Sequence, residues 1–222
     1  MSWRFISEIE EGLANAITFA RRDSGTIAGN WPIEDRVTDT CSIRPYRPRD
    51  LADLVRVEAS ASSRYQDSGF SLVEVPPRDE ENLYRLTHET TVIVAEIEGE
   101  VVGYGSYFVL GPYLHLEELA VDRAWQGRGI GRRLAEFYLG AALPIARCSH
   151  YSLIAFQTAD WAVGLYRHLG FVPRDSFSGA LPHPELLDQL VVSETAAGFD
   201  ASRRQLMIRP KPTLPEDRCP AR

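Results

Sequence analysis

Residues 125–134, "WQGRGIGRRL", decide the fold of this chain. The segment has glycines at the alternate positions Gly127, Gly129 and Gly131, set among three arginines, and it follows a run with the pattern of a strand. Glycine permits φ values closed to other residues and lets backbone N–H groups approach a ligand without a Cβ in the way. A helix begins here, so its unpaired N–H groups and positive dipole end add to the arginines. The segment therefore predicts an anion site, most naturally for a phosphate or pyrophosphate.

Three phosphate-binding motifs compete for this segment. The dinucleotide fingerprint needs G-x-G-x-x-G inside a βαβ unit, whereas here G-x-G-x-G follows an antiparallel meander. A Walker loop needs a lysine, and the segment has none. The third motif is Gln126-x-x-Gly129-x-Gly131, placed between a strand ending at Ala120-Val121 and a helix. Taken alone, this short pattern also fits a glycine-rich turn that caps an ordinary helix.

A second motif lies downstream, in "DWAVGLYRHLGFVP". It contains Ala162-x-x-Leu165-Tyr166-x-x-x-Gly170-Phe171. In this order, one helix and one strand apart, the two motifs resemble the signatures of the GNAT acetyltransferase superfamily. The resemblance covers residues 41–210. It implies an α+β GNAT fold, with a mixed, mostly antiparallel central sheet flanked by helices and a splayed parallel pair of strands. The chain departs from the family at Ala159, where many members carry an asparagine seven residues before the tyrosine.

The order of predicted elements is typical of an α+β domain with one mixed sheet rather than a chain of βαβ units. The predicted elements are a strand at 41–46, helices from 50 and at 80–88, a hairpin over 90–110, a strand at 114–121, the helix after the glycines, a strand at 151–156, helices at 161–169 and 184–196, and a last strand at 204–210. We predict an N-terminal helical extension and linker over residues 1–40, with a helix at 7–21. We also predict an N-acetyltransferase domain over residues 41–210 and a flexible tail over residues 211–222.

The resemblance implies acetyl-CoA as co-substrate. Its pantetheine arm would pair with the backbone of Leu119, Ala120 and Val121 in the gap between two splayed strands. Its pyrophosphate would rest on the glycine segment, while Arg133 adds charge nearby. The remaining predicted contacts are Gln126, Gly127, Arg128, Gly129, Ile130, Gly131, Arg132 and Asp160.

Tyr166 stands at the position of the family's usual general acid, which protonates the departing sulfur. The alternative for Tyr166 is a core aromatic on the buried face of an amphipathic helix. For the general base, strand alternation predicts one face with His115, Glu117, Leu119 and Val121 and another with Leu116, Glu118 and Ala120. Glu117 is the favoured base, directly or through a water, with His115 as its neighbour or substitute.

Two further interpretations concern the acceptor side of the site. Glu117 and Glu118 are alternatively solvated or salt-bridged surface groups. The acceptor pocket is expected from loops, at residues 64–77 and 177–184, because loops carry specificity while the scaffold carries the cofactor.

The predicted function is transfer of an acetyl group to a primary amine of a small molecule or peptide N-terminus, by direct attack in a ternary complex. The alternative is a non-catalytic acyl-CoA-binding sensor or assembly module. A third possibility, acetylation of charged tRNA or a protein lysine, would need a basic face around Arg132, Arg133, Arg203 and Arg204. The stretches "HLEELAV", "FQTADWAVGLYRHLGF" and "ETAAGFD" resemble a bacterial branch of the superfamily, which does not choose an acceptor.

The composition of the chain restricts the classes of fold, ligand and partner that are expected. The chain has 222 residues, 44% of them hydrophobic, enough for one buried core, and a formal net charge of -7. That charge disfavours nucleic acid and mildly favours cationic acceptors such as polyamines, aminoglycosides or amino-acid-like amines. The three cysteines and five histidines lack ligand spacing, so no metal is expected. No apolar run approaches the roughly 18 residues of a membrane helix. We expect a cytoplasmic protein without a membrane partner, and a homodimer is possible.

Overall fold

The computed structural model describes residues 41–71, 73–141, 145 and 147–212. The predicted N-terminal helix and linker, and the tail from residue 213 on, lie outside the described residues. Every other predicted helix and strand falls within them.

Seven strands form a single sheet in the part of the chain that the structure describes. Their bounds are β1 Ser42–Pro45, β2 Thr91–Ile97, β3 Glu100–Leu110, β4 Tyr113–Val121, β5 His150–Phe156, β6 Val172–Pro173 and β7 Arg204–Pro210. The spatial order is β1-β2-β3-β4-β5-β7-β6, and all neighbours are antiparallel except the parallel pair β4 and β5. The predicted mixed, mostly antiparallel sheet is therefore confirmed; the two-residue strand β6 had no signal in the sequence.

Five α-helices flank this sheet among the described residues: α1 Leu51–Ser62, α2 Glu80–Glu89, α3 Ile130–Ala141, α4 Asp160–His168 and α5 Pro184–Ala196. Their buried stripes assign them to faces. Leu54 of α1 and Leu83 of α2 pack against Val92 and Val94 of β2, whereas Leu134 of α3 packs with the alternate residues of that strand. Helix α4 shares a core cluster with Tyr138 of α3, and α5 packs on Phe108 and Tyr113. Helices α3 and α4 thus cover one face, and α1, α2 and α5 cover the other.

Local sequence signals explain several of these elements. Asp79 caps α2, because its side chain accepts a hydrogen bond from the backbone N–H of Asn82 at 2.9 Å. The β2–β3 turn falls on Glu98 and Gly99, as predicted, and both residues have positive φ values of 52° and 86°. Such values suit the tight turn that joins twisted antiparallel strands. No helix in the described ranges is both long and apolar enough to cross a membrane.

The parallel pair of strands separates partway along its length. β4 and β5 pair from Tyr113↔His150 to Leu116↔Leu153 and no further. Beyond that point β4 stays paired with β3, and β5 stays paired with β7. The predicted splay is therefore confirmed, and it leaves an opening in the sheet between residues 117–121 of β4 and the end of β5.

Candidate active site

The free edge of β4 in this opening is satisfied by side chains instead of a neighbouring strand. The backbone N–H of Leu119 donates to Oε1 of Glu118 at 3.2 Å, and the carbonyl of Val121 accepts from Nε2 of Gln126 at 2.8 Å. Backbone polar groups away from water need such partners. A side chain that bonds to a strand edge can move away and let a ligand take its place more easily than a whole neighbouring strand can. Two of the three predicted pantetheine contacts therefore lie at an edge held by replaceable partners.

The glycine segment presents its backbone outward at the start of α3. Gly127 and Gly129 have φ values of 78° and 81°, and a Cβ added at either would meet nothing within 4 Å. Gly131 differs, because its Cβ would lie 3.7 Å from Val121 Cγ2, an ordinary packing distance. Ile130, the first residue of α3, is buried and fixes the helix against the sheet. The segment thus combines open space, positive φ and a helix N-terminus, as the anion-site interpretation requires.

The arginines of this segment each contact a different group. The Arg128 guanidinium lies over the Trp125 ring, 4.6 Å from its centroid. Arg132 pairs with Glu136 of the same helix at 2.8 Å and remains 69% exposed. Arg133 donates to the backbone carbonyl of Cys41 at 2.9 Å. Arg128 and Arg132 therefore lie on the exposed side of the loop, while Arg133 fastens α3 to the start of β1.

Tyr166 lies on the α3–α4 face, in the buried cluster that holds Leu116 and Leu153, the last paired residues of the two strands. Its ring meets Phe171 edge-on, with centroids 6.1 Å apart. Its hydroxyl makes no hydrogen bond with any residue that the structure describes. Burial raises the pKa of Tyr166 above its usual value, and nearby Tyr65 and Glu118 raise it further. Tyr166 is thus a core aromatic that also carries a protonated hydroxyl close to the opening.

A β-bulge in β4 overturns the predicted alternation of faces. The register with β3 shifts so that Glu118 lies opposite Ser106 and Leu116 opposite Tyr107, which leaves Glu117 as the extra residue. A bulge reverses the parity of the residues beyond it. Leu116 and Leu119 consequently share the α3–α4 face, and His115 does not share a face with Leu119 and Val121 as predicted. The prediction was wrong because strict alternation assumes a regular strand.

The bulge lets two adjacent carboxylates reach one arginine. Arg78 binds Oε1 of Glu117 through Nη2 at 2.9 Å and Oε2 of Glu118 through Nε at 3.2 Å. The two carboxylates are half-buried, at 24% and 26% exposure. The salt-bridged alternative for these residues is therefore what the structure shows.

His115 is buried beside the Phe108 ring, and its Nδ1 shares a 2.9 Å hydrogen bond with the Ser152 hydroxyl. Burial, together with the charge of Arg204, lowers the pKa of His115 to about 3. A ring that binds a proton so weakly is a poor general base at neutral pH. This argues against His115 as a substitute for Glu117.

A cavity of about 220 Å³ lies on the α1–α2–α5 face at the point where the strands separate. Glu117 and Ile154 line it, and each directly follows the last paired residue of its strand. The other walls come mainly from α2 and α5, together with Phe108 of β3 and His115 of β4. Among the described residues that line the cavity, none belongs to 64–77 or 177–184, the loops predicted to form the acceptor pocket. Tyr65 and Phe70 of the first loop instead pack on Phe156, with ring centroids 5.3 Å and 4.7 Å away.

Sequence reasoning missed two carboxylates on this face whose pKa values are raised, the buried Glu58 and the half-buried Glu194. Glu194 of α5 lines the cavity and is ion-paired with Arg204. Burial raises the pKa of Glu194 to about 7 although Arg204 opposes the shift. Glu58 of α1 accepts the Tyr104 hydroxyl at 2.6 Å, and burial, followed by the charge of Glu118, raises its pKa. The sequence carried a signal for both, because each lies four residues after a leucine of its helix's buried stripe.

A parallel strand pair that opens beside a glycine-rich helix start defines the acyl-CoA N-acyltransferase class of folds. The model of the acetyltransferase (GNAT) family matches residues 54–171, and the chain belongs to this family. The chain is also 25% identical over 92 residues to a spermine/spermidine N(1)-acetyltransferase of Bacillus subtilis strain 168 and to a probable spermine N(1)-acetyltransferase of Bacillus subtilis subsp. natto. Each match covers 38% of this chain and 58% of the relative.

Two solved structures share the fold over nearly their whole length. The ribosomal-protein-S18-alanine N-acetyltransferase from Escherichia coli superposes with a TM-score of 0.57 at 18% identity, covering 80% of this chain and 98% of that one. The PaiA N-acetyltransferase from Thermoplasma acidophilum, in complex with coenzyme A, gives a TM-score of 0.55 at 13% identity, covering 77% and 99%. At such identities the similarity shows the fold alone.

Proposed function

We propose that this protein is an N-acetyltransferase that moves an acetyl group from acetyl-CoA to a primary amine of a small molecule or peptide N-terminus, by direct attack in a ternary complex. The observation that carries the proposal is the opening that begins after Leu116 and Leu153. On one face of it lie the glycine segment and Tyr166, and on the other lies a cavity with carboxylates. A donor and an acceptor entering from opposite faces would meet there.

The donor side fits acetyl-CoA. Leu119 and Val121 offer an N–H and a carbonyl whose present partners, Glu118 and Gln126, are side chains able to move aside. The open space over Gly127 and Gly129 leaves room for a pyrophosphate on the N-terminus of α3. Bound there, acetyl-CoA would supply an activated thioester. Asp160, exposed at the first turn of α4, is the remaining predicted contact.

Tyr166 is proposed to hold the proton that the departing sulfur takes. Its hydroxyl is protonated at neutral pH, as a general acid must be, but burial raises its pKa and so makes it a weaker acid. The support for this role is therefore its position. Its position in the cluster of Leu116 and Leu153 places it beside the start of the opening.

The acceptor side favours a cationic amine. Four carboxylates lie in or beside the cavity against three arginines: Glu89, Glu117, Glu118 and Glu194 against Arg78, Arg85 and Arg204. An ammonium group would offset the surplus negative charge. The relatives named as spermine acetyltransferases support polyamines as the first acceptors to test.

One observation favours the alternative, a non-catalytic acyl-CoA-binding module. Glu117 is held by Arg78, and His115 resists protonation, so neither predicted base is poised to act. Acetylation of tRNA or a protein lysine is not favoured. Of its four expected arginines, Arg132 pairs with Glu136, Arg133 with the Cys41 carbonyl, Arg203 with Glu74 and Arg204 with Glu194, so they do not form one basic face.

The test measures acetyl-CoA binding by calorimetry and thiol release with a panel of spermidine, an aminoglycoside, an amino-acid amide and an alanyl peptide. The enzyme predicts binding and thiol release with at least one amine. Binding without thiol release from any amine would support the sensor module, and absence of binding would refute both.

A further inference from the structure

Glu194 lies on the acceptor side of the site, although it belongs to neither of the two family motifs in the sequence. It lies on α5, on the same stripe as the buried Leu187 and Leu190, and its side chain is 19% exposed. It lines the cavity together with Glu117 and His115 of β4. The cavity in turn begins where β4 and β5 separate, so Glu194 belongs to the space in which an acceptor amine would approach the acetyl group.

The groups around Glu194 come from three other parts of the chain. Arg204 of β7 is ion-paired with it, and Glu117 and Glu118 of β4 add negative charge. Arg78, just before α2, opposes that negative charge. The cavity wall also carries Arg85 and Glu89 of α2 and the neutral ring of His115. Burial among these groups makes the ionised carboxylate costly, which explains why the pKa of Glu194 is raised to about 7.

Arg204 is held in place independently of Glu194. Its guanidinium lies over the Phe156 ring at 4.5 Å and the Phe199 ring at 4.6 Å. It therefore offers the ionised carboxylate a fixed partner. Arg78, in contrast, donates hydrogen bonds to both Glu117 and Glu118, so a proton placed on Glu117 would break a charge-assisted hydrogen bond. Oε2 of Glu194 accepts no hydrogen bond among the described residues, so a proton on Glu194 would weaken only its ion pair with Arg204.

We infer that Glu194, and not Glu117 or His115, accepts the proton of the acceptor amine. This inference rests on the proposed acetyltransferase function. The acceptor enters as R–NH₃⁺ and gives one proton to the Glu194 carboxylate. The neutral nitrogen forms the C–N bond to the acetyl carbon while the C–S bond breaks. Tyr166 gives its proton to the sulfur and receives the second proton of the nitrogen, and Glu194 later releases its proton to water. The products are the amide, the free thiol and one proton.

The experiment compares Glu194→Gln with Glu117→Gln and with Glu185→Gln, an exposed glutamate of the same helix. Thiol release is followed from pH 5.5 to 9 with two amines of different pKa. A limb of the pH profile that reports titration of the amine shifts when the other amine is used, whereas a limb that reports titration of the protein stays at the same pH. We expect kcat/KM of Glu194→Gln to fall about 10²-fold to 10⁴-fold, with loss of the amine-independent acid limb. Glu117→Gln and Glu185→Gln should keep that limb.

Two measurements separate this role from a structural one. Acetyl-CoA affinity of Glu194→Gln should stay near that of the wild type, and its thermal midpoint should stay above the assay temperature even though Arg204 loses its ion-pair partner. Glu194→Asp serves if the glutamine variant does not fold, and it should keep the acid limb at a reduced rate because the shortened carboxylate still titrates. A wild-type profile in Glu194→Gln, an unchanged rate in Glu194→Asp, or loss of the limb in Glu117→Gln instead would overturn the assignment. Wild-type protein that binds acetyl-CoA but acetylates no amine would refute the proposed function itself.

Discussion

The two sides of the opening between β4 and β5 differ in how far apart in the sequence their residues lie. On the α3–α4 side, the candidate donor site is one short stretch, residues 119–132, plus Asp160 and Tyr166. On the other side, the cavity takes Arg78, Glu117 and Glu194 from three separate parts of the chain. The donor side is defined mainly by backbone geometry. The acceptor side is defined mainly by how its partly buried charged side chains pair. A motif can therefore predict the co-substrate while leaving the acceptor open.

The largest expected effect tests whether Tyr166 acts on the reaction or only packs in the core. In Tyr166→Phe, kcat should fall about 10²-fold to 10⁴-fold, because the phenyl ring keeps the packing but has no proton to give. Acetyl-CoA affinity should hardly change, which calorimetry would check. Tyr151→Phe is the matched control from the same cluster: its hydroxyl donates to the Leu139 carbonyl at 2.6 Å, so it should lose stability but keep kcat. Full turnover by Tyr166→Phe would leave only the core interpretation.

The next effect is a pH dependence of folding stability that comes from His115, on the acceptor side of the opening. His115 has a pKa of about 3 in the folded protein against 6.5 unperturbed, so between these values the unfolded chain binds a proton that the folded protein refuses. Its contribution to stability is therefore present above pH 6.5 and is lost as the pH falls, by about 2 kcal/mol between pH 7.5 and 5.

Urea unfolding at pH 7.5 and pH 5 would measure this, with the difference between wild type and His115→Leu isolating the single group. The subtraction is needed because Glu194, with its raised pKa, changes stability in the opposite direction over an overlapping range. Equal pH dependence in the two proteins would show that His115 titrates normally.

A smaller effect tests the donor side through its backbone. Gly129→Ala should weaken acetyl-CoA binding about tenfold, since the methyl group would occupy the open space over the loop at a φ of 81° that other residues rarely adopt. Gly140→Ala in α3 is the control, because its φ is not positive and its Cβ would also meet nothing within 4 Å. That change should leave affinity intact and stabilise the helix by about 0.5–1 kcal/mol. Comparable affinities in the two variants would contradict the loop assignment.

The smallest effect concerns Arg64, which connects the loop to the start of α4. Its Nη1 donates to Oε1 of Gln126 at 2.5 Å, and its guanidinium lies 4.6 Å from the Trp161 ring centroid. Arg64→Ala should lower the free energy of unfolding by about 0.5–1 kcal/mol, measured by urea denaturation. Arg167→Ala, at an exposed position of α4, should change it less. A loss of acetyl-CoA affinity as large as that of Gly129→Ala would place Arg64 in the donor site.

Prediction from the sequence succeeded where the determinants are close together in the chain. The hairpin turn at Glu98 and Gly99 and the start of α3 at Ile130 needed only a few residues each. The assignment of faces in β4 failed at Glu117, because a bulge depends on the partner strand as well as on the sequence of the bulged one. The cavity beside the opening is lined mainly by other segments than those predicted for the acceptor pocket, because Tyr65 and Phe70 pack against Phe156 in the core.

The sequence by itself determined the family, the sheet with its opening and the glycine segment, because turns, helix starts and hydrophobic periodicity are set by neighbouring residues. Only the tertiary structure decided which carboxylates share Arg78, which histidine is kept neutral, and that Glu194 faces the same cavity as Glu117. The physical reason is that burial and charge pairing depend on distances between segments far apart in the chain, and these distances exist only once the core has packed.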